Sequence, residues 1–234
     1  MADYRLHYAP DNASLAVRLA LEELGAPYAT RLVDRAAKAQ QGAVYRAVNP
    51  AGLIPALETP DGVIFETGAI LLWLADRHGR MAPLPGDPAR GDFLKWLFFT
   101  SNTLHLMLRM SFYPGKFVGD DAAAQAALCA TLRAWHAVDM TLPRALHLLD
   151  THVAARGPGP DMLDCYLAPL LRWCALYPAG GTAWFRLADF PALAELAARM
   201  EARPSGQAAA RAEGLGPTPF TAPRPCDPPE GSAT

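Results

Sequence analysis

Thr67 opens an apolar-periodic run that predicts a helix to Arg77, and Glu66 stands just before it. The free N–H groups of such a helix start attract anions, and Thr67 is a good cap for them. The plainer reading is a helix cap beside an acidic residue, and the two coexist. A second helix start, before the periodic run Leu15 to Leu24, offers the polar donors Asn12 and Ser14. Ser14 reads equally as a simple cap. Pro55 follows Ile54; an X-Pro bond tolerates the cis form, and a proline here also suits the start of an edge strand. Further along, Phe99, Asn102, Leu106, Arg109 and Tyr113 recur at spacings of three or four, compatible with one helix face. Arg109 on that largely apolar face can meet an anion or bridge to a partner chain. Cys129, Cys165, Cys174 and Cys226 form no CxxC pair and no ligand-spaced set with the histidines. Neither a disulfide framework nor a zinc site is expected, and a reducing compartment fits.

These groups need a frame. Tyr4 to Tyr8 reads as a strand, Leu15 to Leu24 as a helix closed by Gly25, and Tyr28 to Val33 as a second strand. An irregular stretch with a helical turn near 43–47 leads to the Pro50 and Gly52 turn. Asp61-Gly62 then joins Ala56 to Glu58 with Val63 to Phe65 as a hairpin, which feeds the Thr67 helix. The order β-α-β, crossing segment, β-β-α predicts a mixed sheet with helices packed on it, over 1–79. Residues 80–87 read as a Pro- and Gly-rich linker. Beyond it no strand is evident: helical spacing covers Pro88 to Tyr113, Asp121 to Thr151, Asp161 to Leu176 and Phe190 to Arg203, giving an all-helical second domain over 88–214. Residues 215–234 hold six prolines and no apolar period, and predict a mobile or loosely docked tail.

The chain of 234 residues is 51% hydrophobic and 19% charged with a net charge of −2, which excludes a disordered chain and a basic nucleic-acid surface. The start has no apolar signal core, and Phe93 to Tyr113 is interrupted by Lys95, His105 and Arg109. The expectation is a cytoplasmic protein with neither nucleic-acid nor membrane partners.

Asn49-Pro50-Ala51-Gly52-Leu53-Ile54-Pro55-Ala56-Leu57 with Phe65-Glu66-Thr67-Gly68-Ala69-Ile70 resembles the thioredoxin-like core of the glutathione transferase family. Tyr8-Ala9-Pro10, Leu19 to Gly25, Phe190-Pro191 and Met200 to Pro204 extend the resemblance over residues 4–204. It implies an α+β thioredoxin-like N-terminal domain followed by an all-α helical-bundle domain, a homodimer, and glutathione as co-substrate without a metal. In the family a cis bond precedes the proline matching Pro55, so the backbone of Ile54 would pair with the cysteinyl part of glutathione. Glu66 and Thr67 would take its γ-glutamyl end. The thiol of glutathione is the nucleophile, and the protein must favour its thiolate.

The donor for that thiolate is expected from Ser14 first and Asn12 second, or from a backbone N–H between them. Alignment through Leu19-Ala20-Leu21 sets Ser14 beside Ala13, the position of the catalytic cysteine in the beta class, while serine-using classes place their hydroxyl nearer Asp11 and Asn12. Without a cysteine at 13, glutaredoxin-type mixed disulfides are disfavoured. Tyr8, within the first strand, is expected to pack. Leu53 stands where relatives have a polar residue, leaving Lys38 or Gln41 for the glycyl carboxylate. The electrophile pocket would lie along Phe99, Asn102, Leu106, Arg109 and Tyr113. Asp161 and Asp164 would form a structural capping box. The reading is conjugation of glutathione to small hydrophobic electrophiles; the alternatives are a glutathione-dependent peroxidase or isomerase, or a non-catalytic glutathione- or protein-binding module.

Overall fold

The computed structural model describes residues 3–136, 139–157 and 159–233. Strand β1 (Tyr4–Tyr8), helix α1 (Ser14–Leu24) and strand β2 (Tyr28–Leu32) form a unit whose two strands pair in parallel, Tyr4 opposite Tyr28 and Tyr8 opposite Leu32. Parallel neighbours require a crossover, and α1 supplies it. After the short helix α2 (Ala43–Arg46), β3 (Ala56–Thr59) and β4 (Gly62–Phe65) form an antiparallel hairpin whose β3 pairs antiparallel with β1. The sheet order is β2-β1-β3-β4. Helix α3 (Thr67–His78) follows the hairpin at once, closed by Gly79 in the left-handed conformation, which glycine adopts without a Cβ clash. α1 is apolar nearly all round, so it is buried between the sheet and the helices that follow.

Residues 80–89 contain no helix or strand, and the Met81 carbonyl accepts from the Met162 N–H, tying the crossing segment to the helical half. The helical half begins with α4 (Arg90–Phe99), continues through a π-helical segment at Thr100–His105 into α5 (Leu106–Phe112), and then a short α6 (Gly115–Val118). The single helix expected over Asp121 to Thr151 is two, α7 (Ala122–Arg133) and α8 (Leu142–Ala155). Pro143 sits in the first turn of α8, where its missing N–H costs nothing, whereas mid-helix it would remove an i→i−4 hydrogen bond. Residues 137 and 138 of that span, residue 158 in the next connection, residues 1–2 and residue 234 lie outside the described residues. α9 (Met162–Leu176) is the buried centre of the helical half, followed by α10 (Pro191–Ala202) and α11 (Pro204–Glu213), a helix absent from the periodicity reading.

Asp161 and Asp164 form a reciprocal capping box: Asp161 Oδ1 accepts from the Asp164 N–H at 3.0 Å and Asp164 Oδ2 from the Asp161 N–H at 3.1 Å. Arg156 pairs with both carboxylates. Burial and the neighbouring Asp161 charge push the Asp164 pKa up, while the two carboxylates push that of Arg156 up against its own burial.

The tail differs from its expectation. Over its described residues it has no regular structure, yet it is docked along much of its length: Leu215 and Phe220 are buried at 1% exposure, the Asp227 N–H donates to the Gly214 carbonyl, and Glu201 accepts from the Phe220 and Thr221 N–H groups. Two isolated apolar anchors and hydrogen bonds from the body replace a periodic face. α11 ends on Gly214.

Candidate functional site

A cavity of about 670 Å³ opens between the sheet half and the helical half. The 11–13 turn, the 52–55 loop and the start of α3 form one wall, and the π segment with α5 forms the other. π segments recur at functional sites because the extra residue re-aims side chains, and this one delivers Ser101, Asn102 and His105 to the cavity.

The 52–55 loop is held from behind. Tyr45 Oη and Asn49 Nδ2 both donate to the Leu53 carbonyl, at 2.7 and 2.6 Å. Gly52 lies at φ +63°, and a Cβ there would come within 2.9 Å of the Gln40 carbonyl. The Ile54–Pro55 peptide is cis. Neither the N–H nor the C=O of Ile54 has a hydrogen-bond partner among the described residues, and both Ile54 and Pro55 line the cavity.

Glu66 carries the N-cap position of α3, at φ +72°, and Thr67 is the first helical residue rather than the cap. A non-glycine residue at positive φ is strained, a condition that clusters at ligand sites. Both line the cavity, and the Glu66 carboxylate has no hydrogen-bond or ion-pair partner among the described residues.

Asn12 and Ser14 separate clearly. Ser14 is fully buried; its hydroxyl donates to the Ala9 carbonyl at 3.1 Å, and it does not line the cavity. The first catalytic choice from sequence is thus a hydroxyl that locks the turn, not one that faces a ligand. Asn12 does line the cavity, with Oδ1 accepting from the Ala13 N–H at 2.9 Å and Nδ2 without a protein partner among the described residues. Asp11, one residue earlier at φ +50°, holds the turn. Its carboxylate accepts from Arg172 Nε and Nη2 at 2.8 and 2.9 Å, Trp173 Nε1 at 2.8 Å and Tyr177 Oη at 2.7 Å. The Asp11 N–H donates to Glu213, which also accepts from Arg18. Burial raises the Glu213 pKa to about 7, with Arg18 opposing the rise.

Of the remaining expectations, Asn102, Leu106, Arg109, Tyr113 and Gln41 line the cavity, whereas Phe99 and Lys38 do not. Phe99 packs edge-on against Trp96, one turn before the π segment shifts the helix face. Lys38 caps a 3-10 turn. Tyr8 also lies outside the cavity: its hydroxyl donates to Glu230 of the tail, Arg18 stacks on its ring, and burial pushes its pKa up. Arg35, Gln40, His105, Lys116 and Tyr166 line the cavity without having been singled out in the sequence. His105 was within reach of the reading, four residues before Arg109 on the same face. Its Nδ1 is joined to Tyr166 Oη by a 2.9 Å hydrogen bond, and burial, with Arg109 second, lowers its pKa to about 4, so the ring is neutral. Among the described residues no group of three or more potential ligands could hold a metal, and no helix is long and apolar enough to cross a membrane.

A four-stranded mixed sheet with a cis-proline loop, followed by a helical bundle across a shared cleft, defines a thioredoxin-like domain joined to an all-helical one. The family model described as "Glutathione S-transferase, N-terminal domain" matches residues 13–77. Glutathione S-transferase GstA of Escherichia coli O157:H7 is 30% identical over 90% of this chain and 99% of its own length. A Ralstonia protein named maleylpyruvate isomerase is 30% identical over 65% of this chain and 73% of its own. Among solved structures, a sphingomonad glutathione S-transferase complexed with glutathione is 31% identical, with a TM-score of 0.69 over 91% of this chain and 100% of that one. The chain belongs to the glutathione S-transferase family and is a glutathione transferase enzyme.

Proposed function

We propose that the cavity binds glutathione and activates its thiol for attack on a small electrophile. The observation that carries this is the convergence on one cavity wall of three unpartnered groups: the Ile54 backbone edge, the Glu66 carboxylate at the α3 start, and Asn12 Nδ2. The Ile54 N–H and C=O take the cysteinyl residue in strand fashion. The α3 N-terminus takes the γ-glutamyl carboxylate and Glu66 its ammonium. Gln41 takes the glycyl carboxylate. Asn12 Nδ2 then donates to sulfur, favouring thiolate over a thiol whose free pKa is ~8.5. The electrophile sits against Asn102, Leu106, Arg109 and Tyr113. The solved sphingomonad relative, complexed with glutathione, supports the ligand.

The test is titration of reduced glutathione by calorimetry, followed by the thiolate absorbance of the bound tripeptide against pH. The bound thiol pKa is expected below the free value. Loss of one hydrogen bond to a charged group, ~1.5–3 kcal/mol, raises it by about 1–2 units in Asn12→Ala, and Ser14→Ala leaves it in place. No binding heat at millimolar glutathione sinks the proposal; a pKa moved by Ser14→Ala but not Asn12→Ala sinks the donor assignment. The name of the Ralstonia relative favours a second reading, glutathione-dependent isomerisation, which a maleyl-type substrate assay separates from conjugation. The functional unit is a cytoplasmic homodimer on this proposal, and sedimentation as a monomer at micromolar concentration would contradict the pairing.

A further inference from the structure

Three cationic side chains, Arg35 from the segment after β2 and Arg109 and Lys116 from the helical half, gather in the cavity around one tyrosine. Arg35 Nη2 donates to Tyr113 Oη at 3.1 Å, and Lys116 Nζ lies 4.7 Å from the Tyr113 ring centroid. Arg109 is one helical turn before Tyr113, its carbonyl accepting the Tyr113 N–H at 2.9 Å. All four line the cavity. Arg35 is further engaged with the Ala233 carbonyl, but among the described residues none of the three cations has a carboxylate within ion-pair distance, although the chain as a whole is net negative. Among the described residues the cavity contains two carboxylates, and neither neutralises the group. Asp11 is saturated by Arg172, Trp173 and Tyr177, and Glu66 sits at the start of α3 on the sheet wall. His105, hydrogen-bonded to Tyr166, is neutral and adds no charge. Leu106 and Phe112 supply apolar surface on the helical wall.

A cleft lined by one sign of charge with low-dielectric walls concentrates the opposite sign. We infer that the electrophile of this enzyme carries a carboxylate on an apolar body, with Arg109 and Lys116 as the residues that select it. This rests on the glutathione reading above and adds the acceptor's chemical class to it. For an enone acceptor, the thiolate sulfur bonds to the β-carbon as the carbon–carbon π bond breaks. The enolate formed then takes up one proton, balancing the one the thiol released.

The experiment uses the full chain, reduced glutathione and two aryl enones that differ only at a remote carboxyl, ethacrynic acid and its methyl ester. The acid is expected to exceed the ester in kcat/KM by about tenfold at low ionic strength, with the ratio shrinking as salt is added. In Arg109→Gln and in Lys116→Gln the ratio is expected to fall by about threefold or more. A wild-type ratio near one, or a ratio that both substitutions leave unmoved, overturns this inference while calorimetric glutathione binding keeps the parent reading intact. No binding heat overturns the parent reading and this one with it. A raised KM for glutathione in Arg109→Gln with the acid-to-ester ratio held would assign Arg109 to the glycyl carboxylate and also overturn the inference.

Discussion

Asp11→Ala removes a carboxylate that accepts four hydrogen bonds from fully or largely buried donors. Each bond to a charged group is worth ~1.5–3 kcal/mol in isolation, but the four share one carboxylate and do not add. The better measure is the cost of leaving a partner charged and unpaired, since the Arg172 side chain is 0% exposed: about 3–5 kcal/mol. In a chain of this size 1 kcal/mol shifts the melting temperature by ~2–4 °C, so the loss is about 6–20 °C. Arg172 also donates to the Pro219 and Arg224 carbonyls, so Arg172→Met frees tail groups besides Asp11. A double-mutant cycle isolates the pair: Asp11→Ala with Arg172→Met is expected to cost less than the two single changes together by ~2 kcal/mol or more. Chemical denaturation of all four proteins reads this directly. A loss below ~1 kcal/mol in Asp11→Ala, or additive singles, would refute the claim that this pair holds the 11–13 turn.

Other expectations are narrower. The unfolded chain protonates His105 near its ordinary pKa of ~6.5, while the folded chain refuses that proton down to about 4. Its stability contribution is therefore present above ~6.5 and lost as pH falls through 4; His105→Gln should flatten that acid limb of a stability-against-pH curve, and an unchanged limb rejects the assignment. Glu213 acts with the opposite sign: the unfolded carboxyl releases its proton near ~4.5 and the folded one keeps it to about 7, so stability falls as pH rises through that window. Glu213→Gln should remove this fall in denaturation midpoints. Phe220→Ala should cost ~3–5 kcal/mol and expose the last residues to limited proteolysis; a loss under ~1 kcal/mol means the tail is not anchored there.

The residues read well from sequence are those whose meaning is local. Asp161 and Asp164 are three apart, and a capping box needs nothing else. The β1-α1-β2 and hairpin-α3 units follow from short-range period and turn chemistry, and the family resemblance points to Ile54, Pro55, Glu66 and Thr67, which the structure places on the cavity wall. Ser14 misleads because a serine at a helix start looks the same whether it faces a ligand or its own turn; the Ala9 carbonyl decides, and its orientation is a property of the packed turn. Asp11 was passed over because its partners lie 161 to 166 residues away. Arg35, Tyr166 and Lys116 reach the cavity from three separate elements, and no spacing relates them. Phe99 falls out of the expected face because the π segment adds a residue to the turn, which a strict 3.6 period does not anticipate. In the tail, Leu215 and Phe220 are single apolar residues among prolines, and only a receiving surface gives them a place.

The Asp11 cluster also bears on synthesis. A nascent chain emerging from the ribosome exposes the 11–13 turn early, but Arg172, Trp173 and Tyr177 follow some 160 residues later, and the carbonyls of Pro219 and Arg224 later still. Until these arrive, Asp11 gains nothing by leaving water. The sheet can assemble while translation continues, yet the ligand-facing turn acquires its fixed shape only once these later residues have emerged, so a polypeptide stopped before them would hold a folded scaffold with its working corner unset.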